Sequence, residues 1–241
     1  MNENLDNYAG AYEENFKYSL DNRLILKWYP SRIVSKIHFG SLLELGLGHG
    51  YTIDQFMDSK KISYYRILEG SKEIIELFKR DNRALNVDII QTYFEDYDTR
   101  DRFDNIVMGF VLEHVNDPAT IIVQYSKYLK PGGSLFVAVP NAEALNRRFG
   151  YEAGVLKDLE QLSASDIQLG HKRYFTLKKL TKLIHDNGLK VKSVEGLFLK
   201  PITTDQIKTL NLTDKILMAM LKVGIHYPEL CTGILMEAVV E

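Results

Sequence analysis

The stretch LLELGLGHGYTI at residues 42–53 decides the fold. Three glycines, Gly46, Gly48 and Gly50, follow a short apolar run, and Glu44 stands two residues before the first of them. Because glycine weakens the interior of a helix or a strand, this spacing indicates a turn between a strand and a helix. Such a turn can bring bare backbone N–H groups close to a ligand. The stretch therefore predicts a ligand-binding loop at the end of the first strand.

The bulk composition is that of one globular domain. The chain has 241 residues, of which 45% are hydrophobic and 26% charged, and its net charge of -2 favours neither a nucleic acid nor an anionic membrane as partner. Cys231 is the only cysteine, which suits a reducing compartment. The polar N-terminus lacks the plan of a signal peptide. We therefore expect a cytoplasmic protein, monomeric or homodimeric, with no membrane partner.

Strand-like and helix-like segments alternate from residue 38 to residue 140. The strands predicted there lie at residues 41–45, 64–68, 87–91, 103–109 and 134–139. Several are apolar without alternation, as in DNIVMG, which is typical of a parallel sheet covered on both faces. The regular alternation predicts an α/β fold with a doubly wound sheet.

The remaining segments divide the single domain into four parts. Residues 1–37 are expected to form an N-terminal helical lid, helical over 11–37, and residues 38–140 the core of the sheet. Residues 141–175 are polar and irregular, so they predict a small insertion lobe. Residues 176–241 complete the sheet with strands at 189–197 and 233–240. We expect the lid and the lobe to cover the edge where parallel strands end and ligands bind.

An acidic residue lies at the end of the second predicted strand, at a sequence distance from the glycine loop that is typical of ribose-binding acids. Glu69 ends the second predicted strand, 23 residues after Gly46. A carboxylate in that place can accept two hydrogen bonds from a ribose diol. The dinucleotide fingerprint G-x-G-x-x-G would need glycine at position 51, where this chain has Tyr51, which disfavours a nicotinamide dehydrogenase.

Four blocks of sequence resemble one family in order and spacing. ELGLGHG, LEGS, FDNIVMGFVLEHV and LKPGGSLFVAVPN are similar to the motifs of class I S-adenosylmethionine-dependent methyltransferases. The resemblance covers about residues 38–200. It implies a Rossmann-like, seven-stranded, mostly parallel sheet with an antiparallel last strand. It also implies S-adenosylmethionine as cofactor and S-adenosylhomocysteine as product.

The resemblance also implies which residues hold the cofactor. Glu44 and the glycine loop would line its methionine half, Glu69 would bind the ribose, and Phe94 with Glu95 would contact adenine. Phe94 is equally consistent with a place in the hydrophobic core. The expected cofactor-binding set is Glu44, Gly46, Leu47, Gly48, Gly50, Glu69, Gly70, Phe94, Glu95, Gly109 and Phe110.

Two histidines are candidates for the base that removes a proton from the methyl acceptor. His114 follows the fourth strand, and His171 lies in GHKRYF, a pattern that resembles the G-H-x-R-x-[FY] insertion of small-molecule methyltransferases. Imidazole suits proton transfer because its pKa lies near the operating pH. We favour His171, although either histidine is also consistent with a purely structural role. No spacing of cysteines or histidines predicts a metal site.

The insertion lobe also supplies the candidates for binding the acceptor. Four cations, Arg147, Arg148, Lys172 and Arg173, would clamp a phosphate if they converged, and are otherwise a solvated face. The full set expected to bind the acceptor is Tyr12, Asn141, Arg147, Arg148, Arg173 and Tyr174. Tyr12 is also consistent with packing inward on a helix.

These observations favour an enzyme that methylates a hydroxyl of a small molecule. The expected acceptor is a sugar or a nucleotide-linked sugar of bacterial surface-polysaccharide biosynthesis. The alternative is O- or N-methylation of a quinone-type or natural-product acceptor. A non-catalytic, cofactor-binding partner subunit is a remote alternative, because the glycine loop and Glu69 are both intact.

Overall fold

A computed structural model describes residues 5, 19–48, 50–80 and 87–240. Within these residues one seven-stranded sheet has the order β3-β2-β1-β4-β5-β7-β6. Its strands are β1 (Gly40–Leu45), β2 (Ile62–Glu69), β3 (Asp88–Gln91), β4 (Phe103–Gly109), β5 (Leu129–Pro140), β6 (Leu189–Leu197) and β7 (Gly233–Val240). All neighbouring pairs are parallel except those that β7 makes with β5 and β6. The predicted mostly parallel sheet with an antiparallel last strand is confirmed.

Helices cover both faces of the sheet. They are α1 (Ser19–Lys36), α2 (Tyr51–Asp58), α3 (Lys72–Arg80), α4 (Pro118–Ser126), α5 (Leu145–Glu152), α6 (Ala164–Gln168), α7 (Leu177–Asp186), α8 (Thr204–Thr209) and α9 (Asp214–Gly224). Buried residues of α4 and α7 pack on one face, as Tyr125 and Leu180 do. Those of α1, α2 and α9 pack on the other, as Ile33, Phe56 and Leu217 do. None of the described helices is long and apolar enough to cross a membrane.

Local sequence signals set the starts of two helices. Pro118 is the first residue of α4, and the Asp117 side chain accepts a hydrogen bond from the Ala119 N–H at 3.0 Å. The Ser71 hydroxyl accepts from the Ile74 N–H at 3.2 Å at the start of α3. These side chains satisfy N–H groups that a helix leaves without an internal partner at its first turn.

One boundary differs from the sequence prediction, which placed the fifth strand at residues 134–139. The segment LKPGG at residues 129–133, which precedes the predicted strand, is the beginning of β5, and Leu129 pairs with Phe103 of β4. The register shifts between Phe103 and Asn105, and Gly132 has φ 77°, so an irregularity absorbs the turn residues within the strand. Helix α1 begins at Ser19, and the first part of the helix predicted over 11–37 lies outside the described residues.

The sheet order fixes where a ligand can bind. The chain winds from β1 outward to β3 and then returns to β4 on the other side of β1. The crevice beyond the ends of β1 and β4 is therefore a topological switch point, which is where open α/β sheets bind ligands. The glycine loop follows β1 at this edge, as the sequence predicted.

Strand β6 and helix α9 pack so closely that one glycine tests their contact. A Cβ on Gly196 would overlap the carbonyl oxygen of Gly224 and the Sγ of Cys231. We expect Gly196→Ala to lower the free energy of unfolding by about 3 kcal/mol, because backbone cannot move aside cheaply. The control is Gly188→Ala, an exposed position at φ 77° with open space around it, which should cost about 1 kcal/mol. Urea denaturation of both variants measures the difference, and equal losses would contradict this packing.

Candidate active site

Two adjoining cavities lie at the ligand-binding edge of the sheet. The first, here the loop pocket, is lined by the glycine loop, Glu44, Glu69 and Phe94. The second, here the histidine pocket, is lined by Glu113, His171 and residues of α1 and α5. The two share a wall made of Leu26, Gly48, Gly109, Phe110, His114 and Leu169. Two ligands that occupied these cavities would therefore meet at this shared wall.

The glycine loop has the backbone conformation that its sequence predicted. Gly46, Gly48 and Gly50 have φ values of 85°, 51° and 68°. This left-handed region is strained for residues that carry a Cβ. A Cβ on Gly48 would meet no atom within 4 Å, so the conformation itself, and not crowding within the protein, requires glycine there. The loop can thus turn sharply from β1 into α2.

Glu69 anchors this loop. Its side chain accepts a hydrogen bond from the Leu47 N–H at 2.9 Å on one oxygen and from the Ser71 N–H at 2.8 Å on the other. The residue is buried and lines the loop pocket. Each carboxylate oxygen can accept more than one hydrogen bond, so these contacts still permit a ribose hydroxyl to bind.

Glu44 lies at the other end of the loop pocket. The Thr52 hydroxyl donates to it at 3.0 Å, and the Tyr65 hydroxyl donates to the same oxygen. Burial raises the pKa of Glu44 to about 7, although the two hydrogen bonds act to lower it. A cationic group that entered this end of the pocket would favour the ionised carboxylate.

Most of the predicted cofactor-binding residues line the loop pocket. They are Glu44, Gly46, Leu47, Gly48, Gly50, Glu69, Phe94, Gly109 and Phe110. Gly70 and Glu95 are not among its lining residues, and Glu95 is exposed. Gly70 adjoins the pocket instead, since a Cβ there would press on the Leu5 side chain, which does line it.

Phe110 forms the strained part of the shared wall. It has φ 59°, an uncommon value for a residue other than glycine, and its ring meets that of Tyr29 edge to face at 5.8 Å. A Cβ on neighbouring Gly109 would overlap the Tyr29 hydroxyl. Glycine at position 109 thus leaves room for the Tyr29 hydroxyl beside the shared wall. Strained residues of this kind cluster at functional sites.

Two distant motifs meet in the histidine pocket. The Lys172 N–H donates to the carbonyl oxygen of Glu113 at 2.8 Å, which ties GHKRYF to the end of β4. Arg173 strengthens this connection, since its guanidinium donates to the carbonyl oxygens of Leu112, Val115 and Asn116. As a result the rings of His114 and His171 lie edge to face, with their centroids 4.8 Å apart. The sequence analysis identified both histidines as candidate bases but did not predict that they are in contact.

The environment gives these histidines and their acidic neighbours different protonation chemistry. Burial, together with the charge of His171, lowers the pKa of His114 to about 3, so its imidazole stays neutral and is a weak base. Burial raises the pKa of Glu113 to about 7. Asp166 stays ionised, because hydrogen bonds and His171 lower its pKa to about 2 despite burial. His171 Nδ1 lies 3.6 Å from Asp166 Oδ1, an ion-pair distance.

Glu113, His114 and His171 form a group that could hold a metal ion. Each offers a ligand atom, and these atoms lie within 4.8 Å of one another. Both carboxylate oxygens of Glu113 and Nδ1 of His171 are buried without a hydrogen-bond partner among the described residues. The same three groups could share protons instead. That no metal is required stays a prediction.

The four cations of the insertion do not form the conditional phosphate clamp. Arg147 donates to the carbonyl oxygens of Leu159 and Gln161, and Arg148 to the backbone and side chain of Glu143. Lys172 Nζ donates to the Asn116 side chain at 2.7 Å. Arg173, as described above, holds the end of β4. The carbonyl oxygens that the three arginines bind belong to residues outside helices and strands, so these cations are used within the fold. Of the four, Arg147 alone lines the histidine pocket.

The remaining residues predicted to bind the acceptor have mixed placements. Tyr174 lines the histidine pocket, where its ring lies 4.0 Å below the guanidinium of Arg147. Asn141 also lines this pocket. Its amide donates to three carbonyl oxygens of the loop before β7, so its side chain holds that loop in place. Tyr12 lies outside the described residues.

The sequence did not single out several residues of the two pockets. Glu113 had a signal, since it precedes His114 at the end of a strand. Lys200 lies in the segment FLKPI at residues 198–202, after β6, but nothing in the sequence indicated that it is buried. Asp21, Tyr29 and Asn146 had no signal, because only the tertiary structure brings α1 and α5 to the edge of the sheet.

A family model described as a methyltransferase domain matches residues 17–194. The chain belongs to the class I S-adenosylmethionine-dependent methyltransferases. The expected family and cofactor are thereby confirmed. The loop pocket of this methyltransferase fits the cofactor, because the glycine cradle, the ribose-type acid Glu69 and the buried Glu44 line one cavity.

Curated relatives cover only part of this methyltransferase. The ubiquinone biosynthesis O-methyltransferase of Vibrio atlanticus is 29% identical over 142 residues, which are 56% of this chain and 58% of that protein. The mitochondrial ubiquinone biosynthesis O-methyltransferase of Bos taurus is 32% identical over 108 residues, 44% of this chain and 28% of that protein. The chain thus spans less than two thirds of the length of either relative.

The solved structures agree on the fold. A S-adenosylmethionine-dependent methyltransferase of Thermotoga maritima, described as a possible histamine N-methyltransferase, aligns with a TM-score of 0.63. It is 20% identical and the alignment covers 93% of each chain. At this identity the likeness shows the architecture and nothing about the acceptor.

The raised pKa of Glu44 predicts a pH-dependent affinity for the cofactor. The ammonium of the methionine end would favour the ionised carboxylate, whose fraction rises steeply between pH 6 and pH 8. We expect binding of S-adenosylhomocysteine to strengthen up to about tenfold over that range, and Glu44→Gln to abolish the change.

Isothermal titration calorimetry at several pH values measures this affinity. Asp58→Asn removes an exposed carboxylate from the end of α2 and is the matched control, with the wild-type profile expected. Parallel profiles for wild type and Glu44→Gln would exclude Glu44 as the titrating group.

Proposed function

We propose that this methyltransferase transfers the methyl group to an aromatic hydroxyl, of a phenol or a reduced quinone, with His171 as the base. One observation carries the proposal. The loop pocket and the histidine pocket share a wall at Gly109, Phe110 and His114. A cofactor in the first pocket and an acceptor in the second would therefore be adjacent at this wall.

The cofactor, when bound, supplies a methyl group made electrophilic by a sulfonium. The chain must then position the acceptor oxygen in line, exclude water and remove the hydroxyl proton as the carbon–oxygen bond forms. His171 suits the last task at Nε2, because its Nδ1 faces the ionised Asp166. The nearby carboxyl of Glu113 would stabilise the imidazolium that results.

The lining of the histidine pocket favours an aromatic acceptor over a nucleotide-linked sugar. Ile25, Leu26, Phe110 and Leu169 supply apolar surface, and the ring of Tyr174 adds an aromatic face. The cations that a phosphate would require are occupied by carbonyl oxygens and side chains. The relatives named as ubiquinone biosynthesis O-methyltransferases support the same class of acceptor.

A mass-spectrometric screen tests the acceptor class. Purified protein with S-adenosylmethionine is offered phenols, benzenediols, reduced quinones and nucleotide sugars in separate reactions. We expect a gain of one methyl group on at least one aromatic hydroxyl and none on the nucleotide sugars. Methylation of a nucleotide sugar alone would overturn the proposal and restore the sugar acceptor that the sequence analysis expected.

The role of His171 predicts a specific kinetic signature. We expect His171→Ala to lower kcat by about 100-fold or more while the affinity for S-adenosylhomocysteine stays within about twofold, since the loop pocket does not include this residue. Asp166→Asn should also lower kcat, because it removes the charge that orients the imidazole. His185→Ala, on the exposed side of α7, is the control.

A chelator separates proton transfer from metal catalysis at the same three residues. With His171 as base, activity should survive dialysis against EDTA, and added divalent metals should not rescue His171→Ala. Loss of activity on dialysis, restored by a metal, would assign Glu113, His114 and His171 as ligands instead. Unchanged turnover in His171→Ala would exclude both roles for this histidine.

A further inference from the structure

One end of the histidine pocket contains a buried carboxylate oxygen that the proposed chemistry does not use. Asp21 on α1 lines this pocket and is 8% exposed. Its Oδ1 has no hydrogen-bond partner among the described residues. A buried acceptor left unpaired is costly, so native structures rarely keep one without a function.

The other oxygen of Asp21 shows why Oδ1 is left over. Lys200 Nζ and the Thr204 hydroxyl both donate to Oδ2, the hydroxyl at 2.8 Å, and Lys200 Nζ also donates to Thr204 at 2.8 Å. Lys200 is 4% exposed, so the ion pair is shielded from water. The pair neutralises Asp21 and fixes its orientation, and it leaves one acceptor oxygen for a ligand.

A second unpaired oxygen lies in the same pocket. Asn146 on α5 also lines it, and its Oδ1 is buried without a partner among the described residues. Asp21, Asn146 and Lys200 line the histidine pocket only, whereas His114 and Gly109 line both pockets. Both unpaired oxygens therefore belong to residues that line the histidine pocket and not the loop pocket.

The chemistry of these oxygens selects the group that they would bind. An ionised carboxylate only accepts hydrogen bonds, so its ligand must donate one. Because Lys200 already compensates the charge of Asp21, a second cation would be repelled by the ammonium and gains little. A neutral hydroxyl provides the donor without that repulsion.

We propose that Asp21 Oδ1, assisted by Asn146 Oδ1, binds a second hydroxyl of the acceptor, distinct from the hydroxyl that is methylated. The acceptor is then a dihydroxylated compound, and Asp21 determines its specificity. This inference rests on the proposed function for the identity of the reaction, but the recognition of a second hydroxyl can be measured without turnover.

Matched pairs of small aromatic compounds test the proposal. Each of the three benzenediols is compared with the methoxyphenol of the same substitution, which keeps one hydroxyl and loses the second donor. We expect the wild type to prefer at least one benzenediol by tenfold or more in kcat/KM. Sites built to bind a hydroxyl discriminate strongly against analogues that lack it.

Two variants at Asp21 then test whether this residue causes the preference for the benzenediol. Asp21→Asn can present an amide N–H in place of the acceptor oxygen, so we expect the ratio of kcat/KM for the benzenediol to kcat/KM for its methoxyphenol to fall at least fivefold. The double variant Asp21→Leu with Lys200→Met removes the ion pair as a unit and should give the same loss if the single variant is unstable. Asn146→Leu should give a smaller loss.

Binding to protein saturated with S-adenosylhomocysteine, measured by calorimetry, distinguishes this inference from the proposed function. A preference for the diol that depends on Asp21, with no methylation of any phenol, would support the inference and overturn the proposed reaction. Methylation of a phenol without such a preference would support the proposed reaction and overturn the inference. Equal binding of diol and methoxyphenol by the wild type would overturn the inference whether or not turnover is observed.

Discussion

The ligand-binding edge of this protein depends on the buried carboxylate of Glu69, which accepts hydrogen bonds from backbone N–H groups of two loops. Glu69 receives hydrogen bonds from Leu47, in the glycine loop after β1, and from Ser71, before α3. The loop lacks side chains at its glycines and could not hold its own shape by packing. The carboxylate therefore fixes it against β2, and Gly48 can form part of the wall between the two pockets.

A second set of backbone contacts builds the other side of that wall. Lys172 and Arg173 bind the carbonyl oxygens that follow β4, and they carry His171 onto His114. Burial then gives neighbouring groups unlike properties, because it disfavours every charged form that lacks a partner. His114 is held neutral, whereas Asp166 is held ionised by its hydrogen bonds.

The histidine pocket concentrates unsatisfied polar atoms. Glu113, His171, Asp21 and Asn146 each present a buried atom without a partner among the described residues, and all four line this one cavity. Each such atom lowers the stability of the folded chain. Local rules of folding are commonly violated at sites that bind or react, where the ligand supplies the missing partner.

Patterns within short segments predicted the sheet and most of the loop pocket. The glycine spacing, the position of Glu69 and the apolar strands are local properties, and backbone geometry translates them directly into structure. The predicted start of the fifth strand at residue 134 was wrong, because pairing with β4 extends β5 through LKPGG despite the turn preference of Pro and Gly. The conditional phosphate clamp is not present, because Arg147 and Arg173 donate their hydrogen bonds to nearby carbonyl oxygens.

The sequence by itself determined the fold, the family and the cofactor side of the site, since these depend on residues close together in the chain. Only the tertiary structure decided the acceptor side. Asp21, Asn146 and Lys200 come from α1, α5 and the segment after β6, which are far apart in sequence and meet only when helices pack over the sheet. Their burial, and hence their chemistry, is a property of that packing.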